Sequence, residues 1–462
     1  MLPANSKMDI NMKKITIIIG LLLILFTIQL YSDAPGNIIL MISDGCGFNH
    51  VKATDYYQYG KSGRQPYQKF SVKCAMSTYN INGEYDSHKA WHNFKNLIQK
   101  YTDSAASSTA MATGIKTYNG ALGVNKNKKN LKNIVEYAED KGLSTGVISS
   151  VYFAHATPAA MVVHNPDRGR YKQISRAMIL DSQVDVIMGC GHPLYDNDGK
   201  KINSENKSIP IDYQFVGGEK VWNYLVNNKI GNDCDGDGNI EKWNLLQKRE
   251  DFVKLFKGAT PERVIGIPQV RETLQYQRSG NETRPFQIAF NQNIPTLEEM
   301  TKAGLNIIDN NDKGFFLMIE GGAVDWASHD SKSCRMIEEQ IDFNNSVQTV
   351  INWVENHSSW EETLVIVTAD HECGYLNGPE SGGVRQEDEP IDSIWKPIIN
   401  KGKGQLPGMK WYYHSHSNSL VPFYAEGAGS EELLEKADQK DLRYGKYLDN
   451  AELGQVLIEF VK

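Results

Sequence analysis

Asn37-Ile-Ile-Leu-Met-Ile-Ser43 is apolar at consecutive positions. A strand turns successive side chains to opposite faces, so this run is hydrophobic on both. A strand covered on both sides satisfies that pattern, which points to a parallel sheet clad by helices. Similar runs occur at Ser144–Ser150, Val184–Gly189, Phe315–Ile319, Thr363–Thr368 and Leu420–Tyr424. Helix-like segments alternate with them: Leu131–Lys141 (ended by Gly142), Tyr171–Leu180, Arg335–Asn356 and Ala451–Val461, the last with Asn450 as its cap. This alternation predicts an α/β fold, a three-layer sandwich around a central, largely parallel sheet. Such sheets bind ligands beyond the C-terminal ends of their strands.

The ends of these runs carry acidic and imidazole side chains. Asp44 follows the first run, Glu320 follows Phe315–Ile319, and Asp370-His371 ends Leu-Val-Ile-Val-Thr-Ala. Asp325 and His329 are four apart, so one helical turn puts them on one face. His155-Ala-Thr157 follows the strand ending at Ser150, and His416 precedes the last run within His414-Ser-His416. Imidazole and carboxylate suit zinc, while carboxylate and hydroxyl suit magnesium. Each of these residues alone reads as structural. Their joint placement at strand ends predicts a metal site.

Tyr101-Thr-Asp-Ser104-Ala-Ala-Ser-Ser-Thr-Ala110 is a run of small residues suited to a tightly packed helix. Thr102 or Asp103 caps it, and Ser104 falls in the first turn, where free N–H groups favour an anion. A serine so placed can carry a phosphoryl group; the alternative is a buried helix with an ordinary cap.

The chain has 462 residues, enough for one large domain with insertions or for two domains. Its formal net charge is −7 and no basic stretch suggests nucleic-acid binding. Met12-Lys13-Lys14 precedes the apolar run Ile15–Leu30 and then Tyr31-Ser-Asp-Ala-Pro-Gly36, the layout of a secretory signal peptide over residues 1–34. The run is shorter than the ~20 residues of a usual membrane span. Export to the periplasm or medium follows, with no stable membrane span after cleavage; retention as an uncleaved anchor is the alternative. The six cysteines form no CxxC pair, and export permits disulfides without specifying a pairing. Residues 35–462 form the catalytic domain, interrupted by a polar insertion over 192–295 that is crown-like or a surface loop. Within it, Asp233-Cys-Asp235-Gly-Asp237-Gly238 carries the first half of a calcium loop between helix-like flanks. Position twelve is Asn244 rather than glutamate, so the stretch reads either as a calcium site or as a polar turn.

The chain resembles the alkaline phosphatases. Asp103-Ser104-Ala105, Lys116-Thr-Tyr-Asn-Gly-Ala-Leu-Gly123, His155-Ala-Thr157-Pro-Ala-Ala, Glu320-Gly with Asp325 and His329, and Thr-Ala-Asp370-His371 match that family's motifs in order and approximate spacing. The resemblance implies hydrolysis of small phosphomonoesters through a phosphoserine on Ser104. It implies one zinc on Asp325, His329 and His416, and a second on Asp44, Asp370 and His371. It implies magnesium on Asp44, Thr157 and Glu320, and a phosphate clamp at Arg168. His414 competes with His416; the latter's spacing to Gly427 fits the family. Some bacterial members carry Asp and Lys where this chain has His155 and Trp326, so both are expected around the third metal rather than in its ligand set, with direct ligation by His155 left open. A homodimer is implied by resemblance alone. Related scaffolds serve phosphodiesterases, phosphonate hydrolases and sulfatases. Arg168 argues for a doubly charged phosphate, and Asp103-Ser104-Ala105 lacks the sulfatase pattern. An exported metal-binding module without catalysis would lack Ser104 and Arg168.

Overall fold

A computed structural model describes residues 34–203, 209–234 and 238–462. Eleven strands form one sheet: β1 (Asn37–Ser43), β2 (Val72–Ser77), β3 (Ser144–Tyr152), β4 (Val186–Cys190), β5 (Asn244–Leu246), β6 (Val264–Gly266), β7 (Phe315–Gly321), β8 (Thr363–Thr368), β9 (Val421–Gly427), β10 (Gln439–Asp441) and β11 (Gly445–Asp449). Their spatial order is β10-β11-β2-β9-β8-β1-β7-β3-β4-β6-β5. β9 runs antiparallel to both its neighbours and β10 antiparallel to β11; the other adjacent pairs are parallel.

β1 lies at the middle, and Ile38–Ile42 are buried, as two-sided burial of that run requires. Helices Leu297–Ile308, Ser333–His357 and Phe48–Tyr59 pack together, with Ser333–His357 against β1 and β7. Helices Ser104–Thr113, Ala156–Val162, Ile134–Asp140 and Asn450–Phe460 pack together as a second group. The sheet and its helices make the three-layer α/β sandwich expected from the alternation.

Register places the site. In the parallel ladders Ile42 lies opposite both Thr368 and Glu320, and Ser149 opposite Glu320. β1, β7 and β8 therefore end within about a residue of one another, with β3 running three residues past Ser149, and the residues at these ends converge.

Three details differ from the sequence expectations. The C-terminal helix begins at Asn450 and is capped by Asp449, whose side chain accepts from Ala451 N. Asn450 is buried and donates to Ser107 Oγ at 2.9 Å, and Ser107 Oγ donates to the Asp370 carbonyl at 2.6 Å. Secondly, residues 192–295 contribute β5 and β6, which extend the sheet beyond β4. Thirdly, the segments flanking the Asp233–Gly238 stretch are two short antiparallel strands, Gly231–Asn232 and Glu241–Lys242, rather than helices. Asp233 Oδ2 accepts from Gly238 N at 3.1 Å; Asp235 and Asp237 lie outside the described residues. So does the expected leader, apart from Ala34. Among the described residues no helix is long and apolar enough to cross a membrane. All six cysteines are free.

Candidate active site

Ser104 is the first residue of the Ser104–Thr113 helix, and Asp103 is its cap. Asp103 Oδ1 accepts from Ala106 N at 2.9 Å, the bond that fixes a helix start. Asp103 Oδ2 accepts from Gly120 N at 2.9 Å and from Arg168 Nη1 at 3.0 Å. One carboxylate thus sets the helix and holds the guanidinium beside it. Arg168 Nη2 lies 3.2 Å from His155 Nε2. Ser104 Oγ is 3.2 Å from His371 Nε2.

Three clusters of ligating atoms surround this serine. In each, one oxygen, nitrogen or sulfur per residue lies within 4.8 Å of the others: Asp325, His329, Cys373 and His416; Asp44, Asp370 and His371; Asp44, His155 and Glu320. Asp44 belongs to two clusters. The first and second are joined by stacked rings, His371 on His416, with centroids 3.5 Å apart.

Local bonding aims these groups. His329 Nδ1 bonds the His414 carbonyl at 2.8 Å and His416 Nδ1 the Thr102 carbonyl at 2.9 Å. Each bond consumes one ring nitrogen and presents Nε2 to the cluster, the arrangement that orients metal-binding imidazoles. Asp370 Oδ1 accepts from the backbone N–H of Gly45 and His371 at 3.2 and 3.0 Å. Gly45 permits this close approach: φ is +72°, and a Cβ there would lie 2.8 Å from the Asp325 backbone.

The remaining polar atoms point at one another. Both carboxylate oxygens of Asp44, Asp370 Oδ2, Glu320 Oε1, Asp325 Oδ1, Thr157 Oγ1 and the Nδ1 atoms of His155 and His371 are buried without a hydrogen-bond partner. Unpaired polar atoms at such density cost free energy unless cations bind them. Burial and the neighbouring carboxylates of Asp370, Asp325 and Glu320 push Asp44 upward. Burial likewise raises Asp370 to about 6 and Glu320 to about 7, the latter against a bond from Ser149. Burial also opposes charge on Asp325, but the imidazoles of His329, His416 and His371 outweigh it and hold its carboxyl at about 2. His155 is lowered to about 3, first by burial and then by Arg168; burial takes His371 and His416 to about 4. Neutral imidazoles are the ligating form. Carboxylate, imidazole and hydroxyl donors in these clusters fit divalent cations.

His416 joins the first cluster. His414 instead has its Nδ1 3.3 Å from Ser331 Oγ. Trp326 lies edge-on to His155 with centroids 5.7 Å apart, outside every cluster. An open pocket of ≈520 Å³ leads to Ser104, Arg168, Asp325 and His416. Tyr101, Tyr276, Gln277 and Asp330 also line it. Tyr276 Oη donates to Asp330 Oδ2 at 2.5 Å. Tyr276 and Gln277 come from the 192–295 region and were not expected at the site; no motif marks them. Cys373 was also missed, although it is two residues past His371 and so on the same face of an extended segment.

The sequence model of the alkaline phosphatase family matches residues 36–419. The chain belongs to the alkaline phosphatase family. It is 30% identical to an alkaline phosphatase of Escherichia coli over 89% of this chain and 86% of that one. It is 29% identical to alkaline phosphatase 4 of Bacillus subtilis over 78% of this chain, spanning 66% of that relative's length. The alkaline phosphatase of the Antarctic bacterium TAB5 shares the fold, with a TM-score of 0.61 at 22% identity, covering 93% of this chain and 98% of that one. Phosphomonoester hydrolysis is the general activity of alkaline phosphatases, and metal cofactors accompany it.

Proposed function

We propose that this alkaline phosphatase hydrolyses phosphomonoesters through a phosphoserine on Ser104, using two zinc ions and one magnesium. The observation that carries the reading is a serine at a helix N-terminus among three clusters of metal-ligand atoms, mostly buried and several of them without a hydrogen-bond partner. Asp325, His329 and His416 would hold one zinc, and Asp44, Asp370 and His371 the second. Asp44, Thr157 and Glu320 would hold magnesium, with His155 close enough to join them and Trp326 packed beside it. The metals supply charge neutralisation for the phosphoryl group and lower the pKa of the attacking hydroxyl and water.

The chain's own residues do the rest. Arg168 presents two N–H arms to two phosphate oxygens, a match for the guanidinium fork. Its tether to Asp103 fixes the fork beside Ser104. The N–H groups of Ser104 and Ala105, the first-turn donors not taken by Asp103, would face the same phosphate. Ser104 Oγ attacks phosphorus, its new O–P bond replacing the ester O–P bond, and the leaving oxygen departs as the alcohol after gaining a proton. Water then attacks the phosphoserine and returns Ser104 with inorganic phosphate.

Residues 1–34 support export as a signal peptide, which would place the enzyme in the periplasm or medium with small phosphomonoesters as substrates. Homodimerisation rests on resemblance. The Asp233–Gly238 stretch is kept as a calcium candidate from its sequence, with Asp233, Asp235 and Asp237 as donors.

The test compares wild type and Ser104→Ala on a chromogenic phosphomonoester and a diester, metal-loaded and chelated. Metal-dependent monoester turnover lost in the variant, with phosphoserine trapped on the wild type at acid pH, is the expected result. Turnover of the diester alone would overturn the substrate class. Undiminished activity in Ser104→Ala would overturn the nucleophile.

A further inference from the structure

The short strand Glu372–Cys373 pairs antiparallel with His416–Ser417. Cys373 lies directly opposite His416, and Glu372 opposite Ser417. Side chains alternate along a strand, so His371 and Cys373 share one face and Glu372 takes the other. Glu372 accordingly accepts the Ser417 hydroxyl away from the metal clusters. Cys373 N donates to the Gly45 carbonyl at 2.9 Å, which ties this segment to the turn after β1. The Cys373 side chain is fully buried, and its Sγ sits within 4.8 Å of ligating atoms of Asp325, His329 and His416. Asp325 Oδ1, aimed into the same space, is buried without a hydrogen-bond partner. None of the other five cysteines joins a cluster of ligating groups among the described residues.

We propose that Cys373 is the fourth protein ligand of the metal held by Asp325, His329 and His416, binding as a thiolate after its S–H proton passes to solvent. This rests on the assignment of those three residues to one metal. The resulting donors are one carboxylate, two imidazoles and one sulfur, all ligand types zinc takes, and zinc's capacity to expand to five coordinates leaves a position for substrate or water. A soft sulfur donor favours zinc over magnesium at this position. It also distinguishes this site from the other two clusters, which offer only oxygen and nitrogen.

The experiment replaces the metals of the full chain with Co²⁺ and records its absorption. A thiolate bound to cobalt gives an intense near-ultraviolet charge-transfer band, which oxygen and nitrogen ligands do not. The expected result is that band in the wild type, its loss in Cys373→Ser and its retention in Cys46→Ser. Zinc competition should show a site in Cys373→Ser weakened by at least the roughly 10- to 100-fold that follows loss of a group merely supporting a ligand. A merely positioning cysteine would also weaken zinc but would give no band. The wild-type spectrum decides by itself if the variant fails to fold. Visible bands of bound cobalt without the charge-transfer band would overturn Cys373 as a ligand while leaving the three-residue site intact. Cobalt binding unchanged in both His416→Gln and Asp325→Asn would overturn the site itself, and this proposal with it.

Discussion

Arg168→Ala tests the phosphate clamp. The guanidinium spans Asp103 Oδ2 at 3.0 Å and His155 Nε2 at 3.2 Å, so it is held before substrate arrives. A hydrogen bond to a charged group contributes about 1.5–3 kcal/mol. Two such bonds to a phosphate dianion would give about 3–6 kcal/mol, but the arms exchange existing partners, which favours the lower end. About 3 kcal/mol corresponds to a loss of roughly 100-fold in kcat/KM. Arg168→Lys keeps the charge and loses the fork, so a loss of roughly tenfold is expected. The assay is initial rate against concentration of a chromogenic phosphomonoester, with inhibition by inorganic phosphate measured in parallel. Phosphate inhibition should weaken in the same order. Thermal stability should change little, because Asp103 Oδ1 still caps the serine helix. A kcat/KM within threefold of wild type in Arg168→Ala, with phosphate inhibition unmoved, would refute the clamp.

Metal removal should destabilise the fold, because Asp44, Glu320, Asp325 and Asp370 are buried together and their charges repel unless cations bind. Free metal at a thousandfold over its Kd adds about 4 kcal/mol, so calorimetry should show a lower melting temperature on chelation, restored by zinc with magnesium; equal melting temperatures would contradict the metal reading. Away from the site, burial and the nearby Asp342 raise Glu339 to about 8 from a carboxyl value near 4.5. A carboxyl raised on folding contributes stability fully below the unfolded value and loses it as pH rises through the folded value. Each pKa unit corresponds to about 1.4 kcal/mol. Glu339→Gln should therefore gain stability relative to wild type between pH 5 and 9; a pH-independent difference in melting temperature would show that Glu339 is not held neutral.

The central sheet was legible because two-sided burial leaves an unmistakable composition. Thr363–Thr368 appears with the expected bounds, and Tyr171–Leu180 does as a helix. Boundaries shifted where side chains outside the segment decide them. Leu131–Lys141 shortens to Ile134–Asp140 because Asn133 and Glu136 form a reciprocal cap. Asn450, a natural cap by type, was displaced by Asp449 because its amide is drawn inward to Ser107. The polar composition of 192–295 hid β5 and β6: each is only three residues long, too short to show a period.

By itself, the sequence determined the sheet-and-helix alternation, the serine helix and the acidic and imidazole residues at strand ends, because these are local patterns of hydrophobicity and residue type. Tertiary structure alone decided which ends come level, through the ladders that set Ile42 against Glu320 and Thr368. It alone put Cys373 across from His416 and brought Tyr276 and Gln277 to the pocket. Those pairings join residues tens to hundreds of positions apart, and strand register and packing, which no local pattern encodes, fix their distances.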